Sequence, residues 1–303
     1  MVQSILAYAA PVWGFRPRIE KDYPQINASL LRELDSWQQR CLRFIAGAFR
    51  TSPHMVMYKE LFLHKLSDVL YYNALQHYAL NATSIHMAIF HGDPRGGEKG
   101  ALWAIAKEAQ QLLDAARKRF EKKHDPKKKP GAWEDSKYEE DRRQAIKKEA
   151  KKQLHDCSAT AWKAYQAKFK SDFSLHNFAL KGDWGPKHLE RYKKLNRKQC
   201  SILLQCRTGF ISLPKYVSMC NRETLPRCRR GCNADETVKH LFERCTDQTL
   251  VEARDQLQSE TGESDTGLLL ENHPLQAANF ALKYFDIEQF SGKKPPPTSQ
   301  PSK

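Results

Sequence analysis

Apolar residues recur along most of the chain at three- and four-residue steps, the period of an amphipathic helix. No stretch alternates as a strand would. Leu30, Leu34, Trp37, Cys41, Phe44 and Ile45 predict one buried helix face, with Arg32, Glu33, Gln39, Arg40 and Arg43 on its wet side. Ser52-Pro53 predicts a second helix, with Ser52 as N-cap and Val56, Met57, Leu61 and Leu63 turned inward. A third follows Ser67 on Leu70, Tyr71, Ala74, Leu75 and Tyr78. The glycine-rich loop from His91 to Gly97 closes this first region, residues 1–97.

The second region, 98–183, keeps a thinner stripe: Trp103, Ile105, Ala106, Ala109, Leu112 and Leu113, then Leu154, Ala161, Trp162, Tyr165 and Phe169. Asp125-Pro126 and Pro130-Gly131 interrupt it. In the third region, 184–290, Pro186 predicts a helix running through Leu189, Tyr192, Leu195, Cys200, Leu203 and Leu204 to Thr208-Gly209. Two more helices are expected, around Val251–Leu257 and Leu275–Phe285. Residues 291–303, with three consecutive prolines, read as a disordered tail. The expected class is mostly α, in three regions and a tail.

Charge changes this picture. The 303 residues carry 50 Lys+Arg against 35 Asp+Glu, a net of +15, which favours a polyanionic partner, RNA or DNA. Between Arg117 and Lys152 there are 15 basic and 8 acidic residues, so about half of the excess lies there. That interval reads as a solvated helical arm with a flexible break. Its clusters Arg117-Lys118-Arg119 and Lys127-Lys128-Lys129 also resemble a two-part nuclear import signal. Glu134, Asp135, Glu139, Glu140 and Asp141 fall in the same charge-mixed helix and read as solvated. No run of about 18 apolar residues occurs, so no membrane span is expected. Ala7-Tyr8-Ala9 imitates a signal-peptidase site, but no Lys or Arg precedes the apolar run. A nuclear or cytoplasmic, non-secreted protein is therefore expected, and its eight cysteines are more apt to hold metal than to pair as disulfides.

Residues 226–245 carry the strongest chemistry. Cys228, Cys232, His240 and Cys245 have the spacing C-x3-C-x7-H-x4-C. Three thiolates and an imidazole are a tetrahedral zinc donor set, and four protein ligands leave no open position. The expectation is structural Zn2+, stapling a segment too small to bury its own core. Gly231 lets the first pair's turn bend, and Asp235 or Glu236 would favour the N-terminus of the helix bearing His240. Cys220 is an alternative ligand, while Cys200 and Cys206 read as core residues. Arg222, Arg227, Arg229, Arg230, Lys239 and Arg244 surround the turn. Arg191, Lys193, Lys194, Arg197 and Lys198 line the wet side of the preceding helix. These eleven are the candidate phosphate contacts, with Arg229 and Arg230 foremost because guanidinium groups pair phosphate bidentately.

These residues carry a resemblance. Cys206-Arg207-Thr208-Gly209, Leu225-Pro226-Arg227-Cys228 and Glu236-Thr237-Val238-Lys239-His240-Leu241-Phe242-Glu243-Arg244-Cys245 resemble the C-terminal CCHC zinc segment of non-LTR (LINE-type) retrotransposon reverse transcriptases, in the style of filamentous fungi. Tyr8-Ala9-Ala10-Pro11-Val12-Trp13-Gly14 and Leu42-Arg43-Phe44-Ile45-Ala46-Gly47-Ala48-Phe49-Arg50-Thr51-Ser52 are similar to the same family's thumb-like segment. The family's polymerase uses a Tyr-x-Asp-Asp turn whose carboxylates hold two metal ions. This chain has no Asp-Asp pair, and its 98–183 region lacks the strand-rich pattern of the family's RNase H domain. The resemblance implies a truncated, non-enzymatic, nucleic-acid-binding protein that would partner the rest of a retroelement protein. Two alternatives stand beside it: a helical protein-interaction module with zinc as staple, and part of an RNA-directed DNA polymerase whose palm is encoded upstream.

Overall fold

The computed structural model describes residues 28–81, 101–127, 130–168 and 177–290. The motif at 8–14, the loop at 91–97, Lys128, Lys129, Phe169 and the proline-rich tail lie outside them. The described residues are mostly helical and contain no strand, only one isolated antiparallel bridge between Arg227 and Asp235. None of their helices is long and apolar enough to cross a membrane.

Backbone contacts divide the chain into two compact units that do not follow the three regions of the sequence. The first takes residues up to Gln39 and then His64–Ala161. The second takes Arg40–Leu63 and everything from Trp162 onward. Helix α1 (Ala28–Ala46) supplies both.

In the first unit, the polar anchors of α1 choose its face. Asp35 is 4% exposed, accepts from the Ser67 amide at 2.9 Å and pairs with Lys65 at 2.9 Å. Gln38 accepts from the Leu66 amide and donates to the His64 carbonyl. These bonds satisfy the orphan amides at the start of α3 (Leu66–Leu80), which follows α2 (His54–Glu60). The expected apolar stripe of α1 is therefore not its buried face. Leu30, Trp37, Phe44 and Ile45 are 39, 54, 76 and 66% exposed, while Leu42 and Ala46 are buried.

The region expected to be a solvated arm has a core of its own. Helix α4 (Ala101–Lys123) packs on α3 and on the first half of α5 (Glu139–Lys168). Ala109, Leu112, Ala116 and Phe120 recur at helical steps and meet Leu75, Ala79, Ala145, Ile146 and Ala150. Alanines let the helices approach closely, so a chain poor in large apolar residues still closes a core. Asp141 binds both Lys123 and His124 at 2.8 Å, and Arg119 reaches the buried Glu149 at 2.9 Å.

The second unit surrounds α7 (Arg197–Thr208), reached through the short α6 (Lys187–Glu190). The continuous helix expected from Pro186 is broken at Asn196. Its side chain accepts from the Gln199 amide while Gln199 reaches back to the Asn196 amide, a capping box. After α8 (Pro214–Cys220) and the cysteine segment come α9 (Gln248–Thr261), α10 (Thr266–Asn272) and α11 (Pro274–Tyr284). The sequence predicted α9 and α11 but not α10. Ile202, Leu203 and Cys206 of α7 pack with Phe280, Ala281 and Phe285 around Leu241, Phe242 and Leu250. At the end of α1, Gly47 turns left-handed with φ +61, and a Cβ there would meet Ser201 Oγ at 2.5 Å. Its carbonyl accepts from Gln205 at 2.7 Å.

Helix α2 begins at His54 with Pro53 as N-cap and no side-chain cap, so Ser52 does not have the expected role. Lys59 and Glu60, at its end, are wholly buried. Glu60 accepts from Lys59 at 2.9 Å, from Arg207 Nε at 2.7 Å and Nη2 at 3.2 Å, and from the Tyr192 hydroxyl at 2.9 Å. Lys59 also donates to the Ala179 and Lys181 carbonyls. Burial alone would raise the Glu60 carboxyl, but Arg207 and Lys59 outweigh it and hold it well below the usual carboxylate range. Burial pushes the Lys59 ammonium down to about 8, against the pull of Glu60.

Candidate metal centre and its basic surroundings

The cysteine segment is a small knuckle closed by backbone bonds. Cys228 N–H donates to Ala234 at 2.9 Å and Glu236 N–H to Pro226 at 2.8 Å, on either side of the Arg227–Asp235 bridge. Gly231, with φ +84, makes the return and donates to the Cys228 carbonyl at 3.2 Å. This turn brings Cys228 and Cys232 to one side.

The other two donors come from one turn of π-helix, His240–Arg244. Cys245 N–H donates to the His240 carbonyl at 2.8 Å, an i to i+5 bond. The wider turn is what aligns residues five apart, where an α-helix would align three or four. The donor atoms of Cys228, Cys232, His240 and Cys245 all lie within 4.8 Å of one another. Cys245 Sγ is 3.4 Å from Cys232 Sγ and 3.9 Å from Cys228 Sγ. Ligands at the corners of a tetrahedron with bonds of about 2.3 Å stand about 3.8 Å apart, so these sulfurs are spaced for one ion. His240 Nε2 is buried with no hydrogen-bond partner, a costly state for a ring nitrogen unless something binds it. The four residues fit a metal ion.

The surroundings treat the three thiols differently. The Thr246 amide donates to Cys232 at 3.3 Å. The Thr246 hydroxyl, 3.2 Å from Cys232 Sγ, is the main reason that thiol falls to about 6. Burial instead pushes Cys245 up to about 12 and raises Cys228. A dication at the centre supplies the charge that deprotonates such buried thiols. Cys220 is exposed and outside the cluster; Cys206 is buried in the core as expected.

The basic residues fall into two sets. Arg229 and Arg230 are turned into the fold. Arg229 reaches the buried Glu236 carboxylate with Nε at 3.0 Å and Nη2 at 2.6 Å, and the Phe285 carbonyl at 2.8 Å. Arg230 binds Asp247, Asp286 and the Tyr284 carbonyl. Together they tie the knuckle to the end of α11. Glu236 serves this tie and also accepts from the Arg229 amide, and Asp235 pairs with Lys215, so neither has the expected helix-terminus role. Arg191 is buried rather than exposed, against Glu271 and near Glu60, and it caps the end of α6 instead of lying within a continuous helix.

The second set faces solvent. Lys194, Lys198, Arg222 and Arg244 are exposed and have no ion pair among the described residues. Arg197 is exposed and lies 5.8 Å from the Phe44 ring. Arg227 contacts Asn233, Lys193 pairs with Glu190 at 2.5 Å, and Lys239 with Glu243 at 3.7 Å. Thr246, and Arg254 on the Cys245 carbonyl, support the centre with no signal in the spacing. No protein-family model, curated protein or solved structure matches the chain.

Proposed function

We propose that the chain is a nucleic-acid-binding part of a non-LTR retrotransposon-type protein, with a structural Zn2+ held by Cys228, Cys232, His240 and Cys245. The observation that carries the metal is the four-donor cluster with the unpartnered, buried His240 Nε2. Three thiolates and one imidazole favour zinc over the harder ions, and the ion's contribution is to hold the knuckle against the core. The phosphate contacts are assigned to Lys194, Arg197, Lys198, Arg222, Arg227 and Arg244, the cations left facing solvent. Lys193 and Lys239 would add to them at the cost of their carboxylate partners. Arg229, Arg230 and Arg191 support the fold instead. The family reading rests on the motifs quoted above.

The experiment is a titration of a fluorescent single strand, RNA and DNA in separate arms, across salt. Affinity should fall steeply between about 50 and 200 mM salt. A binding constant flat over that range would sink the reading. No polymerisation is expected in a primer-extension assay. A second reading, protein docking, is favoured by the exposed Met219 and Leu225 beside the knuckle, 57 and 74% exposed. Substituting both by Ser leaves nucleic-acid affinity unchanged on the first reading.

A further inference from the structure

The first unit carries a half-open cavity of about 430 Å3, well away in sequence from the cysteine knuckle. It lies where the end of α3, the middle of α4, the turn at 131–134 and the start of α5 meet. Its volume is at the small end of the range that holds a compact organic ligand. Ala79, Leu80, Leu113 and Ile146 give it an apolar floor, and Trp133 an aromatic wall. Three guanidinium groups, Arg117, Arg142 and Arg143, and two carboxylates, Glu134 and Glu139, complete it.

Among the lining residues three guanidiniums meet two carboxylates. Arg117 pairs with Glu134 at 3.2 Å and with Glu121 at 3.1 Å, and Arg143 with Glu139 at 3.6 Å. Arg142 pairs with no carboxylate among the described residues. Its Nη1 is fixed at 2.6 Å on the Trp133 carbonyl, and the half-buried guanidinium keeps its remaining donors. Trp133 is itself held edge-on by Phe120, at 5.2 Å and 83°. The cavity thus offers a fixed aromatic wall, an apolar floor and one uncompensated guanidinium beside the wall.

We propose that this cavity binds a nucleotide, its base against Trp133 and its phosphate on Arg142. A base has a flat face for an aromatic wall, and a phosphate takes the guanidinium fork. A purely apolar ligand would leave Arg142 without its counter-charge. The nucleotide is either free or the terminal unit of a single strand. The inference extends the nucleic-acid reading without depending on it, because the cavity shares no residue with the knuckle or its cations.

The test is calorimetric titration of the full zinc-loaded chain with adenosine monophosphate, adenosine and a 5′-phosphorylated oligoadenylate. One adenosine monophosphate per chain is expected. Adenosine, or the variant Arg142→Gln, should bind at least about tenfold more weakly, the loss of a charged hydrogen-bonding partner. Leu113→Trp or Leu80→Trp, which fill the cavity, should abolish binding with the melting transition retained. Competition between the mononucleotide and the oligoadenylate assigns the site to strand ends, and mononucleotide binding alone assigns it to free nucleotides. Lys194→Ala with Lys198→Ala and Arg244→Ala should leave mononucleotide binding intact. The proposal is overturned if adenosine monophosphate does not bind, or binds equally to Arg142→Gln and to the folded filled variants. It is also overturned if the triple variant loses that binding. Loss of strand binding alone in the triple variant leaves it standing.

Discussion

Replacing Glu60 by Gln keeps the shape of the side chain and removes its charge. Four donors converge on the carboxylate, three of them from cationic side chains, and the residue has no access to water. Gln offers one acceptor oxygen where the native chain offers two, and its amide points a donor at Arg207 or Lys59. Arg207, 1% exposed, loses one of its two Glu60 oxygens and keeps Glu271 as its remaining carboxylate. Breaking a buried pair from one side costs about 3 to 5 kcal/mol, since the partner's charge stays buried. For a unit of this size that corresponds to a fall of roughly 6 to 20 °C in Tm. Thermal unfolding followed by circular dichroism reads it directly. The pH dependence is a second check. The folded Glu60 carboxyl is held below its unfolded value of about 4.3, so its stabilisation is complete above that value and fades as pH falls through the folded one. The gap between native and E60Q proteins should therefore narrow as pH drops from 5 toward 3. A Tm shift under about 2 °C at pH 7 would refute the reasoning.

For the metal, Cys245→Ser or Cys228→Ser should remove one zinc per chain by mass spectrometry under native conditions, and chelator should lower the native Tm. A chain that stays folded and metal-free with chelator rules the centre out. Lys194→Ala with Lys198→Ala and Arg244→Ala should reduce the salt slope of single-strand binding by about 2 while zinc content holds, as expected for three lost phosphate contacts. Arg229→Ala should cost about 1 to 2 kcal/mol in denaturant unfolding, because Glu236 is left buried, discounted for the partial exposure of Arg229. If it instead weakened nucleic-acid binding with no loss of stability, Arg229 would be a contact and not a brace.

The helical class was legible because period alone sets it, and α9 and α11 lie where their apolar residues put them. The four donors were legible because each motif is local. What escaped was everything decided by distant partners. The stripe on α1 is a regular apolar pattern, yet Asp35 and Gln38 turn another face inward. Glu60 and Arg191 look like wet residues until Arg207 and Glu271 are placed beside them. Arg229 and Arg230 looked like the best phosphate ligands for the reason that also makes them good braces: a guanidinium fork fits a carboxylate as well as a phosphate. The core of 101–150 was missed because alanine counts little in an apolar stripe but packs closely between helices. The break at Asn196 was readable, since Asn196-x-x-Gln199 is a capping signature inside an otherwise apolar run.

Two partners of Glu60, Tyr192 and Arg207, are made late. Arg207 follows it by 147 residues, and the whole 64–161 stretch of the other unit is synthesised in between. At roughly 5 to 20 residues per second the carboxylate waits about 7 to 30 s on the ribosome for its guanidinium. During that interval the Arg40–Leu63 segment has no completed unit to join, with apolar Val56, Met57 and Tyr58 beside it. During synthesis this segment therefore precedes by about a hundred residues the chain it packs with. A chain shortened before Arg207 would never end the wait.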